Sequence, residues 1–183
     1  WIEITEDNRE ALFGREGFLQ KDMFISNGIK FNISYKDTGT GTGFDDPTLG
    51  AQRKDVLRRV LEYVASVLNT PGGVVDINVS SINQDISILA TCGPIITWTT
   101  PVVGGINNGC AFQHLLNGSV DPNGSSYPDI QLKVNWYHDY YLGTGTPPSN
   151  QYDLQSILLH EITHGLGFTS ALAYNDSECT GGE

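Results

Sequence analysis

Two histidines four residues apart with a glutamate between them are the residues best suited to chemistry in this chain. They occur as His160-Glu161-Ile162-Thr163-His164, inside an apolar run that begins at Tyr152. Residues four apart on a helix project from one face, so both imidazoles can reach a single metal ion. Glu161, one residue round, is placed to hold and deprotonate a zinc-bound water as general base. Only 4 histidines are present in the whole chain, so a chance meeting in this pattern is uncommon. The competing reading is two histidines on a half-exposed helix beside a surface glutamate.

The surrounding residues favour the metal reading. Leu154, Leu158 and Ile162 form one stripe that can pack inward, while Asp153, Ile157, His160 and His164 line the next. Asn150 followed by Asp153 resembles a capping box, and Pro147-Pro148 ends whatever precedes it. Gly165 and Gly167 let the chain leave the helix directly after the second histidine.

The elements that must position this helix are legible upstream. Ile29 to Tyr35 alternates apolar and polar residues, a strand; the Gly/Thr-rich stretch from Thr38 to Asp46 is a loop. From Pro47 to Asn69, Leu57, Leu61, Val64 and Leu68 recur at helical spacing, with Val56 and Val60 widening the face. Pro71-Gly72-Gly73 ends that helix and Val74 to Val79 is the next strand, so this span predicts a parallel βαβ unit with a right-handed crossover. Ile95 to Thr100 is strand-like, and Ile130 to Trp136 alternates cleanly. The fold class is α+β: a twisted mixed sheet carrying two long helices, one backing it and one bearing the histidines. Residues 1–28 lack a clean period and read as a lead-in or propeptide remnant, 29–169 as the functional sub-domain, and 170–183 as the start of a truncated or processed C-terminal part.

Composition bounds the partners. With 10 Lys+Arg against 21 Asp+Glu the formal charge is −11. Arg53-Lys54 and Arg58-Arg59 form the only basic cluster and read as a solvated helix face. Nucleic acid and anionic membranes are therefore poor partners, and no apolar run has the length of a membrane span. Cys92 and Cys110 flank a Gly/Pro/Asn-rich segment and could close a disulfide loop, which suits a secreted or cell-surface protein; Cys179 is then left over. Five Asn-x-Ser sequons (Asn32, Asn78, Asn117, Asn123, Asn175) bear on an exported protein only in a host that glycosylates. The start at Trp1 looks like that of a processed or trimmed protein.

Other ligand patterns are weaker. Asp121 to Asp129 spaces oxygens somewhat like a Ca2+ loop, but its prolines and missing bidentate glutamate favour an ordinary turn. His138, after a strand, could line the cleft but reads better as a structural or surface residue, and His114 as a loop residue.

The segment His160-Glu-Ile-Thr-His164-Gly-Leu-Gly167-Phe168-Thr-Ser resembles the metal-binding helix of metzincin zinc metallopeptidases, and the preceding strand-helix-strand order is similar to their upper half-domain. The resemblance implies zinc ligation by His160 and His164, Glu161 as base, Gly167 as the turn under the metal, and endopeptidase activity on an extended peptide. It departs at Ser170, where the usual third ligand stands. In this the motif is similar to the leishmanolysin-like branch, whose third histidine lies much further on. That likeness places the third ligand and the Met-turn after Glu183, in a C-terminal remainder of the same protein. Met23 is at the wrong end for the Met-turn. Asp176 and Glu178 are the in-chain alternatives for the third ligand, because a catalytic zinc takes three protein ligands. A substrate would pair with an exposed sheet edge, with 95–116 as the candidate segment. A binding or adhesion module that keeps the fold without turnover is the alternative function; a closed structural metal site would need four ligands where two are evident.

Overall fold

In the computed structural model the described residues are 20–70, 72–95, 109–118 and 120–168, together with the backbone of 172–175 and 178–181. A five-stranded mixed sheet organises them. Its strands are β1 (Gln20–Ser26), β2 (Ile29–Tyr35), β3 (Gly73–Ile82), β4 (Ala90–Pro94) and β5 (Ile130–Asn135), in the spatial order β1-β2-β3-β5-β4. β2, β3 and β5 run parallel, and the outer strands β1 and β4 are antiparallel to their neighbours. Helix α1 (Gly50–Val67) connects β2 to β3, as parallel pairing of those strands requires. Helix α2 (Cys110–Asn117) precedes β5, and helix α3 (Leu154–Gly165) carries the histidine motif. Two short pairs complete the fold: β6 (Tyr140–Tyr141) with β7 (Tyr152–Asp153), and β8 (Leu172–Asn175) with β9 (Glu178–Gly181).

Alternation creates the core. Along β2, Ile29, Phe31, Ile33 and Tyr35 are buried; Val75, Ile77 and Val79 answer from β3, and Ile130, Leu132 and Val134 from β5. Val56, Leu57, Val60, Leu61, Val64 and Ala65 of α1, with Leu154, Leu158 and Ile162 of α3, join the same cluster. The residues between these stripes are half-buried or exposed, so the helical and strand periods predicted from the sequence are the ones the packing uses.

Residues 20–26, expected in a lead-in, instead form β1 at the sheet edge. Their hairpin to β2 turns through Asn27 and Gly28, both at positive φ (46° and 80°), with Ser26 facing Ile29. A two-residue Asn-Gly turn matches the twist of the flanking strands and fixes this register. The expected strand from Ile95 to Thr100 lies outside the described residues beyond Ile95; the strand seen in this region is β4, ending at Pro94.

The basic residues of α1 are not simply solvated. Arg58 pairs with Glu62 at 2.9 Å and Arg59 with Asp55, but Arg59 Nη2 also donates to the Leu142 carbonyl at 3.0 Å. Arg53, with 12% of its side chain exposed, stacks 4.1 Å from the Trp136 ring centroid and donates to the Gly43 carbonyl at 2.6 Å. Trp136 Nε1 donates in turn to Ser81 Oγ at 2.7 Å, and Ser81 donates to the buried Asp37 carboxylate. This chain closes the turn before α1 against the ends of β3 and β5. Gly43, at φ +59°, has no room for a Cβ, which would stand 2.1 Å from Ser81 Oγ.

Asp46 sets the start of α1: its Oδ1 accepts the amides of Thr48 and Leu49, both at 2.8 Å. Those bonds, Leu49 first, hold its carboxyl below the ordinary carboxylate range. A depressed folded pKa gives stability that is present above the unfolded value, about 4, and lost as pH falls through the folded one. Asp46→Ala is therefore expected to flatten the stability profile on its acid side. Urea unfolding at pH 6 and pH 3 checks this; an unaltered acid limb would contradict it.

Candidate metal and peptide site

The helix that bears the site is anchored at both ends. Asp153, rather than the expected Asn150, is the N-cap: its Oδ1 accepts the Gln155 amide at 3.3 Å and its Oδ2 the Ser156 hydroxyl. Such a side chain satisfies an amide that has no partner within the helix. At the other end Gly167 takes φ +107°, a conformation reserved for glycine, and its amide returns to the His164 carbonyl at 2.9 Å. Gly165 acts differently from the expected exit. It lies at the crossing of α3 with β4 and β5, where a Cβ would meet Ile130 Cγ2 at 2.6 Å and Cys92 Sγ at 2.8 Å. Neither is the free end of a long flexible chain. Gly165→Ala is thus expected to destabilise by about 1–3 kcal/mol, overpacking outweighing the better helix propensity of alanine. Thermal unfolding of the variant decides it, a raised midpoint being the contrary result.

Leu154, Leu158 and Ile162 turn fully inward, as their spacing predicts, leaving His160 exposed and His164 half-buried away from the stripe, with Glu161 half-buried on its flank. The two imidazoles converge: His160 Nε2 and His164 Nε2 lie 2.9 Å apart. His164 Nδ1 is 2.7 Å from the Phe168 carbonyl, which can only accept, so Nδ1 donates to it and Nε2 faces His160. Two nitrogens bound to one tetrahedral zinc at about 2.0–2.1 Å stand about 3.3 Å apart, so these two fit such an ion after a small adjustment. The carbonyl behind Nδ1 is the usual outer partner of a metal-ligating imidazole.

His160 and Glu161 form one wall of an open, mainly apolar depression, with Ser156 and Ile157 from α3 and residues Ile88 to Thr91 opposite. The opposite wall is held by polar bonds. Asn135, buried at the end of β5, donates to the carbonyls of Gln84 and Ile88 and accepts the Gln84 amide, while the Tyr140 hydroxyl lies 2.8 Å from the Leu89 and Asn135 carbonyls. β4, which continues this wall, is one of the two edge strands of the sheet, β1 being the other. The sheet edge next to the depression is therefore at 90–94. Of the 95–116 segment expected there, 96–108 lies outside the described residues and 110–116 is helical. Cys92 of β4 carries a free thiol, so the loop-closing bond to Cys110 that the sequence left open is not formed. Burial, then the nearby Glu161 charge, pushes that thiol up to about 12, so it stays protonated beside the site.

The remaining candidates are dispersed. Ser170 and Asp176 lie outside the described residues; Glu178 and Cys179 belong to β9, of which the backbone alone is described. Met23 lies on β1, largely exposed. His138 Nε2 is 2.9 Å from the Ile86 carbonyl and its ring packs edge-on against Tyr152, outside the depression. In the 121–129 loop, Asp121 Oδ1 accepts the amides of Asn123 and Gly124, as in an ordinary turn, and Asp129 points inward. His114, expected in a loop, is on α2 and buried, 2.8 Å from Asp129. That association joins residues with no motif spacing, so the sequence offered no signal for it.

No known sequence family matches the chain, and no solved structure matches it. A stretch of 53 residues is 40% identical to an uncharacterized protein of the fission yeast Schizosaccharomyces pombe. That stretch is 29% of this chain and 9% of the yeast protein.

Proposed function

We propose that the chain is a zinc-dependent endopeptidase of metzincin type, working on extended peptides outside the cell or at its surface. The convergence of His160 and His164 Nε2 atoms at 2.9 Å, with His164 oriented by the Phe168 carbonyl, is the observation that carries the reading. His160 and His164 would hold zinc, completed by a third ligand beyond Phe168, either Asp176 or Glu178 or a residue following Glu183. When bound, zinc supplies a Lewis acid for water and for the substrate carbonyl. Glu161 accepts the proton of the attacking water and returns it to the leaving amine. The substrate adds as a further strand along β4, its backbone paired with residues 90–94 and its side chains reaching the apolar depression.

The test is hydrolysis of an unstructured protein such as casein by the full protein, with zinc added, with a chelator, and with zinc restored. Activity that follows zinc supports the reading. Activity indifferent to the chelator, or absent in a protein that retains zinc through His160 and His164, would overturn it.

A further inference from the structure

A second cluster of ligand-bearing side chains lies apart from α3. Asp76 of β3, His114 of α2 and Asp129, the residue before β5, each offer one donor atom within 4.8 Å of the others. His114 Nδ1 is 2.8 Å from Asp129 Oδ2 and 3.7 Å from Asp76 Oδ2. Three separate elements bring them there. α2 lies close on the start of β3, where a Cβ on Gly73 would stand 2.6 Å from the Leu115 backbone. Donors fix both carboxylates. Asn32 Nδ2 bonds Asp76 Oδ1 at 2.6 Å, the Asp76 amide bonds Asp129 Oδ2 at 2.8 Å, and the Asp129 amide bonds the Asp76 carbonyl at 2.7 Å.

The charge balance of this cluster is incomplete. Asp129 and His114 are buried, with 0% and 5% of their side chains exposed, and two carboxylates face one imidazole. Asp129 Oδ1 is buried without a hydrogen-bond partner among the described residues. A carboxylate oxygen left so is costly unless a charge or donor offsets it. Asp76, 25% exposed, also lines a depression with Asn32, Tyr127 and Pro128, which gives an ion a route in and room for a water ligand.

We propose that Asp76, His114 and Asp129 form a second metal site, three protein ligands with a water in the fourth position, that takes a first-row divalent cation such as zinc. One imidazole and two carboxylates suit zinc, whereas calcium would call for six to eight oxygens and no nitrogen. An ion here would be held by the His114 Nδ1 lone pair, the imidazole proton being carried on Nε2. The ion pins α2 to β3 and β5. The site shares no residue with the His160–His164 pair and does not depend on the peptidase reading.

The experiment uses the full 183-residue chain as the double variant His160→Ala/His164→Ala, equilibrated with zinc chloride, desalted and assayed for zinc by mass spectrometry. About one zinc per chain is expected to remain. Adding either His114→Gln or Asp76→Asn should remove it, and zinc should raise the thermal midpoint of the double variant but of neither triple variant. Asp76→Asn, at a partly exposed position, keeps the test open where His114→Gln fails to fold. A folded double variant that holds no zinc, or a zinc that survives both further substitutions, would overturn the proposal. Comparison of the double variant with the unaltered protein reads the other site separately.

Discussion

Replacing Glu161 by glutamine is expected to slow peptide hydrolysis by about 10²–10⁴-fold, the usual contribution of a positioned general base. At 1.36 kcal/mol per decade this is about 3–5 kcal/mol of barrier. Glu161 stands beside His160 on the wall of the depression that ends at the β4 edge. Glutamine keeps its shape and removes the ability to take a proton, while neither imidazole is touched. Zinc content should accordingly be unchanged. Steady-state kinetics on a peptide, with zinc measured on the same preparation, separates the two effects. An unaltered kcat would remove Glu161 from the mechanism.

The second large effect concerns the other face of the same helix. Leu158 is fully buried between Leu154 and Ile162 in the common core. Leu158→Ala deletes the packing and leaves a cavity, expected to cost about 2–5 kcal/mol, a large part of the stability of a domain this size. His160 and Glu161 are mounted on this helix, so their placement depends on that core stripe. Urea denaturation should show a lower midpoint with an unchanged slope. A loss under about 1 kcal/mol would mean that α3 is held by its ends rather than by its stripe.

How far the sequence could lead depended on whether a residue's partner was local. β2, α1, β3, β5 and α3 each bury one face against the core, and their periods of two and 3.6 residues show it directly. β1 shows no such pattern, because its apolar Met23 and Ile25 are 62% and 67% exposed at the sheet edge. The Asn27-Gly28 turn was the usable signal there, standing directly before a clear strand. β4, Ala-Thr-Cys-Gly-Pro, has little intrinsic strand preference and exists through its antiparallel pairing with β5. α2, of eight residues, is too short for periodicity to be decisive, although Gly118 at φ +62° closes it as a helix-ending glycine would.

The two sites divide in the same way. His160 and His164 are one turn apart on one helix, so spacing alone predicted that their imidazoles converge, with Glu161 one residue round. Asp76, His114 and Asp129 meet only when β3, α2 and the approach to β5 assemble. The shift of the N-cap from Asn150 to Asp153 belongs with these cases, since β7 carries the chain up to the first turn of α3. Cys92 and Cys110 look well separated for a loop-closing bond, yet the Cys92 thiol instead packs at Gly165, near Glu161.

The most direct measurement is the zinc content of the full protein compared with that of His160→Ala, both loaded with zinc and freed of excess under the same conditions. A loss of about one zinc per chain is expected in the variant, since one of two converging imidazoles is gone and a catalytic zinc needs three protein ligands. Equal zinc in the two proteins would contradict it, showing that the pair on α3 does not hold the metal on which the proposed peptidase depends.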